Sequence, residues 1–386
     1  MSFSFDSAIL EKVALRTKLS EGKEGVRLVL REIYQRGPIG TKSLARIVRI
    51  PIPIIAALRK ELEAVDLISR NKHGAILTDD GVKFVEQILG FSFLEDLTCT
   101  SCSGTGIIFP LEHQRLLVKQ TAFANRRPQP LTRLDQAFAT PETALRRAYF
   151  LLKNDDLEGR SILLLGDDDL TSLAISLLPI RSHVTVVDID QRLLDLISSI
   201  AKEESFDINC VPADLREPLP EQLQNKFDVV LTDPPYTIPG LELFISRALQ
   251  ALKPEENLHI YLAFAHRPPN QLHSIHSSLL AHGLALQQLI PNFNQYEGAE
   301  MHANTTFLAQ LATTNETTIL IPSSFKKDIY TGGISPTRTE YRCENGHIIP
   351  VGSREKVKTI EELKLIGCPL CGSKESFTRI SRKKVN

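Results

Sequence analysis

The sequence has no excess of charge of either sign: 45 Lys and Arg against 46 Asp and Glu leave a formal net charge of -1 over 386 residues. A chain that gripped nucleic acid without sequence preference would show a strong basic excess, so that class recedes and a nucleic-acid partner is not expected. No unbroken apolar run approaches the roughly 20 residues that span a bilayer, and no membrane partner is expected. The opening residues, Met1-Ser-Phe-Ser-Phe-Asp6, do not show the basic-then-apolar pattern of a secretory signal, so the expected compartment is the cytoplasm. Disulfides are uncommon there, and paired cysteines among the six present suggest metal instead. No internal repeat or low-complexity tract is evident. What is present is a soluble, globular composition, 42% hydrophobic and 24% charged, in a chain too long for one ordinary core.

Residues 22–90 are predicted to be helical with a small wing. Val26, Leu28, Val29, Ile33 and Tyr34 mark a helix that stops at Arg36-Gly37-Pro38. Leu44, Ala45, Ile47 and Val48 mark a second, and Pro51 and Pro53 open a third through Ile54, Leu58, Leu62 and Val65. Asn71-Lys72-His73-Gly74 is a good hairpin turn, and Thr78 starts another helix. The order resembles a winged helix-turn-helix domain. On its third helix Arg59 and Lys60 are offset by Glu61, Glu63 and Asp66, which weakens phosphate attraction. Dimerisation or covering of a substrate is the expected role. Residues 91–139 form a connector with Cys99-Thr-Ser-Cys102-Ser-Gly-Thr-Gly106, half a tetrahedral site. These thiols would pair with another chain's Cys, bind metal with other partners, or stay unbridged.

From Thr140-Pro141-Glu142, an N-cap followed by Pro at the first helical position, to about residue 325 the pattern alternates. Strands are predicted at 161–165, 183–188, 208–211, 227–232, 258–264 and 306–311, with helices at 170–178, 191–203, 240–252 and 270–282. Such alternation implies an α/β fold with a mainly parallel sheet. Ligands of open α/β sheets bind at the carboxyl ends of the strands.

The first of those ends carries Gly166-Asp167-Asp168-Asp169, where nucleotide-binding sheets usually place a Gly-rich anion cradle. Three Asp repel phosphate or carboxylate and attract ammonium. One of them, Asp169, is explained as a helix cap. Asp188, ending the second strand, is placed to accept hydrogen bonds from ribose hydroxyls, while Asp190 fits a second cap. Asp214 would accept from an adenine amino group, or is a solvated loop residue. Asp233-Pro-Pro-Tyr236 is more specific. Its two prolines aim the Asp carboxylate and a carbonyl at one spot, where an amine nitrogen would also meet the Tyr face. Gly166, Asp188, Asp214 and Asp233 are thus the expected donor-binding residues. Phe293-Asn-Gln-Tyr-Glu297 follows an expected strand and is expected to line the acceptor pocket. His266, His276 and His302 read as satisfied surface or core groups.

The order of these signals, with Asp-Pro-Pro-Tyr, resembles the Rossmann-like fold of adenosylmethionine-dependent enzymes, in the amino-methyltransferase form of that motif. Taken with the winged helix, Cys-x-x-Cys-x-Gly-x-Gly and Gly-Asp-Asp-Asp, the chain is similar to the branched-chain polyamine synthases, the N4-bis(aminopropyl)spermidine synthases, over roughly residues 20–325. The resemblance implies transfer of aminopropyl groups from decarboxylated S-adenosylmethionine to the secondary amine of spermidine. The products would be N4-aminopropyl and N4-bis(aminopropyl)spermidine, with release of methylthioadenosine. Charge supports that donor, because a sulfonium and an ammonium without a carboxylate suit an acidic loop. The base is expected within Asp167, Asp168 and Asp169, with Asp168 favoured because Asp169 is nearer the capping position. Asp233 and Tyr236 would orient the amine, and a homodimer is expected. The competing readings are an N-methyltransferase acting on nucleic acid and a regulator that senses a metabolite.

The last 50 or so residues change character, with Gly332-Gly333 and a basic end from Arg379 to Lys384. Between them Cys343-x3-His347 and Cys368-Pro-Leu-Cys371 supply four soft ligands in two knuckles, the set preferred by structural zinc. A zinc-binding, zinc-ribbon-like tail over 335–386 is the expectation, because so little apolar sequence needs a staple to fold.

Overall fold

The computed structural model describes residues 8–92, 94, 99–111, 113–297, 304–331, 337–351, 355–357, 360–374 and 376–384. Met1–Asp6, His302, Gly332 and Gly333 lie outside them. The chain divides into two compact units, residues 1–130 with 137–329, and residues 131–136 with 330–386.

The first unit opens with four helices, α1 (Ala8–Thr17), α2 (Gly22–Arg36), α3 (Thr41–Val48) and α4 (Ile52–Ala64). The hairpin β1 (Ile68–Asn71) and β2 (Gly74–Leu77) follows, then α5 (Asp79–Lys83). Apolar residues at helical spacing bury Val26, Val29, Leu30 and Ile33 against Leu44, Leu58, Leu62 and Phe84. Pro51 and Pro53 flank the start of α4, where a missing N–H costs nothing. Thr78 caps α5 by accepting from the Gly81 amide. Helix α1 lies ahead of the predicted start at residue 22. Arg59 is turned inward, only 6% exposed, against Thr41 and Glu63.

After α6 (His113–Ala124), helix α7 (Pro141–Lys153) leads into the large sheet. Its strands are β3 (Ser161–Leu165), β4 (His183–Asp188), β5 (Ile208–Pro212), β6 (Val229–Thr232), β7 (His259–Ala265), β8 (Ala285–Gln295) and β9 (Thr305–Ala312). Between them run α8 (Thr171–Ser176), α9 (Gln191–Glu204), α10 (Ile238–Ala251) and α11 (Pro269–Ala281). The order is β5-β4-β3-β6-β7-β9-β8, parallel from β5 to β7 and antiparallel at β9 and β8. Strand β8 was expected only without bounds, as a strand ahead of Phe293, and it runs on through Gln295: Ala285–Gln295 lacks the continuous apolar run of the inner strands, and most of it is incompletely buried.

The chain leaves β3 toward β4 and β5, then returns to β6 on the other side. The order therefore reverses between β3 and β6, and a crevice opens at their carboxyl ends. Beneath it Ile162, Leu164, Val186 and Leu231 pack with Leu145 and Phe150 of α7 and Phe293 of β8. Every predicted strand and helix of this region is present, with ends shifted by a few residues.

The second unit is a three-stranded antiparallel sheet of β10 (Thr337–Cys343), β11 (Ile348–Val351) and β12 (Phe377–Lys384), ordered β11-β10-β12, with helix α12 (Ile360–Ile366). Among its described residues the buried core is Cys343, Ile349, Val351, Val357, Leu363 and Cys368.

Candidate active site and metal cluster

Where β3 ends, Gly166 takes φ +77, in the region that favours glycine. The backbone turns there and presents three carboxylates in three environments. Asp167 accepts from the backbone amides of Thr171 (2.7 Å) and Ser172 (3.1 Å) and from the Ser172 hydroxyl, so it caps α8. This corrects the expectation that Asp169 would be the cap. With Leu170 left-handed just before the helix, it is the side chain of Asp167 that reaches back over the exposed amides. Burial, opposed by those hydrogen bonds, pushes Asp167 up to about 7.

Asp169 goes elsewhere. It accepts from the Ala139 amide and from Arg147 Nη1 at 2.7 Å. Arg147, on α7 and 1% exposed at its side chain, also donates through Nη2 to Asp233 Oδ2 (2.8 Å) and Tyr296 Oη (3.0 Å), and through Nε to Asn294 Oδ1 (2.8 Å). One guanidinium thus ties the loop after β3 to the loop after β6 and to the end of β8. Burial opposes its charge, but Tyr296, Asp169 and Asp233 outweigh that and raise its pKa. Asn294 and Tyr296 reach it because β8 slips register between Ile290 and Asn294, around a left-handed Asn292.

Asp233 is held on both oxygens. Tyr296 donates to Oδ2 beside Arg147, and the Tyr236 hydroxyl donates to Oδ1 at 3.1 Å. Burial raises Asp233, with Arg147 opposing. Burial, then the Asp233 charge, holds both tyrosines protonated, well above their usual range. The expected carboxylate for orienting an amine is therefore already engaged within the protein.

Asp168 is different. It is half-buried, and among the described residues only its backbone carbonyl, not its carboxylate, has a partner, Arg127 Nη1 at 3.3 Å. Burial first, then the charges of Asp169, Asp188, Asp233 and Asp167, pushes its pKa well above the usual carboxylate range. An incoming cation would find this carboxylate unspoken for.

At the end of β4, Asp188 accepts from the amides of Asp167 (3.1 Å) and Asp190 (2.7 Å), and burial raises it. Asp190 caps α9 through the Arg192 amide, as expected. Asp214 is bound by its neighbour Arg216, at 2.6 Å from Nη2, which lowers its pKa. Beyond the Pro-Pro turn lies a cavity of about 270 Å³ lined by Pro234, Pro235, Tyr236, Phe264 and Arg267, among others. Arg267 donates to the Tyr236 carbonyl at 2.8 Å, so an ammonium is better placed on the Asp168 side.

Arg147 is the residue that the sequence reading missed, while Asn294 and Tyr296 were read only as part of the segment expected to line the acceptor pocket, with no role of their own. The available signal was Arg146-Arg147 inside the apolar face of α7, nine of whose 13 residues, Arg147 among them, are buried. A charge on a buried face needs a partner.

In the second unit Cys343 ends β10, and the turn at Gly346 (φ +83) brings His347 beside it. Cys368 and Cys371 follow α12 in a tight turn closed by the Gly372 amide on the Cys368 carbonyl. The four ligand atoms lie within 4.8 Å of one another: Cys343 Sγ to Cys371 Sγ is 3.9 Å, and His347 Nδ1 lies 3.6 and 3.8 Å from Cys343 and Cys368 Sγ. Bonds of about 2.3 Å to sulfur and 2.0 Å to nitrogen in a tetrahedron give edges of about 3.5–3.8 Å, so the set fits such an ion. Cys99 is exposed and Cys102 half-buried, and among the described residues no third ligand joins them.

No helix among the described residues is long and apolar enough to cross a membrane. Residues 115–340 match the model of the branched-chain polyamine synthase A C-terminal domain. The chain is 42% identical over 98% of its length to an uncharacterised protein of Methanocaldococcus jannaschii, covering 94% of it. It is 31% identical over 75% of its length to the N(4)-bis(aminopropyl)spermidine synthase of the same organism, covering 82% of that protein. The branched-chain polyamine synthase of Thermus thermophilus, solved with N4-aminopropylspermidine and 5'-methylthioadenosine, superposes with a TM-score of 0.68 at 25% identity, over 85% of this chain and 99% of that one. With its acidic loop and Asp-Pro-Pro-Tyr turn on either side of one crevice, the chain belongs to the branched-chain polyamine synthase family.

Proposed function

We propose that the protein transfers aminopropyl groups from decarboxylated S-adenosylmethionine to the secondary amine of spermidine, giving N4-aminopropyl and then N4-bis(aminopropyl)spermidine. The observation that carries this reading is Asp168, a carboxylate without a partner among the described residues and with four other carboxylates around it, at a strand end where related sheets cradle an anion. Asp188 and Gly166 border the donor's ribose, with Asp214 beyond them. The sulfonium and ammonium of the donor stabilise the ionised form of Asp168. The acceptor nitrogen gives its proton to Asp168 and its lone pair to the propyl carbon next to sulfur. The carbon–sulfur bond breaks, sulfur keeps the electron pair, and methylthioadenosine leaves. Asp233 and Tyr236 hold the Pro234 carbonyl in position beside the nitrogen. An intact adenosylmethionine would set its carboxylate against Asp168, which disfavours methyl transfer.

The N-terminal helices and hairpin follow the order of a winged helix, and a homodimer in the cytoplasm is the working assembly. In the second unit Cys343, His347, Cys368 and Cys371 would hold a structural zinc ion, which supplies cross-linking of two turns. Incubation with spermidine and decarboxylated or intact donor, followed by mass analysis, tests the activity. Added masses of one and two aminopropyl groups are expected. Methylated product from the intact donor, or binding without turnover, would overturn it.

A further inference from the structure

We propose that Arg147 is a positioning residue: by clamping Asp169 and Asp233 to each other it leaves Asp168 as the carboxylate that receives the acceptor's proton. The inference rests on the aminopropyl-transfer reading and names how its base is selected. Three observations converge. Arg147 is fully enclosed and makes ion pairs of 2.7 Å to Asp169 and 2.8 Å to Asp233. Both partners belong to strand-end loops that must stay in register for the crevice to exist. And Asp168, flanked in sequence by two engaged carboxylates, has none of their partners.

The groups facing Asp168 come from five directions. Asp167 and Asp169 adjoin it in the loop, Asp188 ends β4, and Asp233 follows β6. Arg127, from the connector, meets its carbonyl, and Tyr236 and Tyr296 stand behind Asp233. Arg147 is the cation paired with two of these carboxylates, whose joint charge it offsets by one unit, and Arg127 faces Asp169, Asp168 and Asp167 from the connector. Without it Asp169 and Asp233 would either repel charge on Asp168 or take up protons themselves. Each outcome makes the cluster bind protons more tightly. Its guanidinium also fixes geometry, because one planar fork meets both carboxylates and Asn294.

Charge and geometry separate experimentally. Methylthioadenosine release would be followed from pH 6 to 10 for the parent, Arg147→Lys and Arg147→Met. In Arg147→Met the acid limb of kcat is expected to move to higher pH by about one unit, the scale of a neighbouring charge. In Arg147→Lys the limb stays near the parent while kcat falls, because charge is kept and the fork is lost. Methylthioadenosine affinity close to the parent's certifies the fold. Should Arg147→Met not fold, Asp169→Asn and the double variant Arg147→Met/Asp169→Asn carry the same comparison, with the double variant's limb about one unit above that of Asp169→Asn. An unmoved limb, with rate lost equally at every pH, would reduce Arg147 to a structural cross-link and sink the proposal. If the parent transfers nothing to spermidine, the activity reading has failed. The Asp168 carboxyl can still be titrated by carbon-13 NMR, identified by its absence in Asp168→Asn, and compared between parent and Arg147→Lys or Arg147→Met.

Discussion

The crevice and the tail cluster both gather groups that water would otherwise solvate, and they are held in opposite ways. At the crevice, acidic groups crowd above a large apolar core, and the fold tolerates carboxylates with raised proton affinity because Leu164, Val186, Leu231 and their neighbours stabilise the sheet beneath them. Among the described residues of the tail, six buried ones, two of them cysteines, make up the core, so on the proposed reading a bound ion supplies the stability. A site that keeps charge unsatisfied needs a scaffold with stability to spare. A site that satisfies charge with an ion can be its own scaffold.

The largest expected effect breaks the comparison at the tail. Removing metal with a strong chelator, or replacing Cys368 and Cys371 by Ser, should unfold residues 337–384, since structural zinc contributes about 10–16 kcal/mol in small zinc-dependent folds. Hydrogen exchange would show lost protection there, with β3 amides still protected. Protection of the tail that survives complete metal removal would mean that its small core suffices.

Next in size is the crevice. Asp168→Asn should lower kcat by about 10²- to 10⁴-fold, the usual weight of a general base, while methylthioadenosine affinity stays within a few-fold, a change of roughly 1 kcal/mol. Near-normal turnover would move the base elsewhere.

The smallest effect sharpens how the crevice stores its strain in charge. Asp167, pushed from an ordinary 3.8 to about 7, binds its proton more tightly folded than unfolded. Its contribution to stability is therefore complete below about pH 4 and is lost as pH rises through about 7. Asp167→Asn keeps one capping oxygen, costs on the order of 1 kcal/mol, and should flatten the decline in stability of the ligand-free protein between these limits. Thermal unfolding across that range measures it, and a slope unchanged from the parent would assign the titration to another group.

Most of the architecture was legible because inner parallel strands are short apolar runs and helices repeat every 3.6 residues. That Asp167, Asp168, Asp169 and Asp233 gather at one crevice was legible because strand ends are where such sheets converge. The division of labour among them was not. Asp169 looked like the cap by its distance from the helix, yet a left-handed Leu170 handed that task to Asp167. Asp233 looked available, and Asp214 looked like an adenine contact, because neither Arg147, 86 residues from Asp233, nor the grip of Arg216 announces itself in a linear reading. The extent of β8 escaped for the same reason: its polar residues make sense only against Arg147 and Thr306.

By itself, then, the sequence determined most strands and helices of the alternating region, that four soft ligands gather in the tail, and that acid crowds one crevice, since each follows from local periodicity or from residues close in the chain. Only the tertiary structure decided which acid is left without a partner among the described residues. That choice depends on hydrogen bonds between segments far apart in sequence, and a carboxylate's chemistry is set by its neighbours in space.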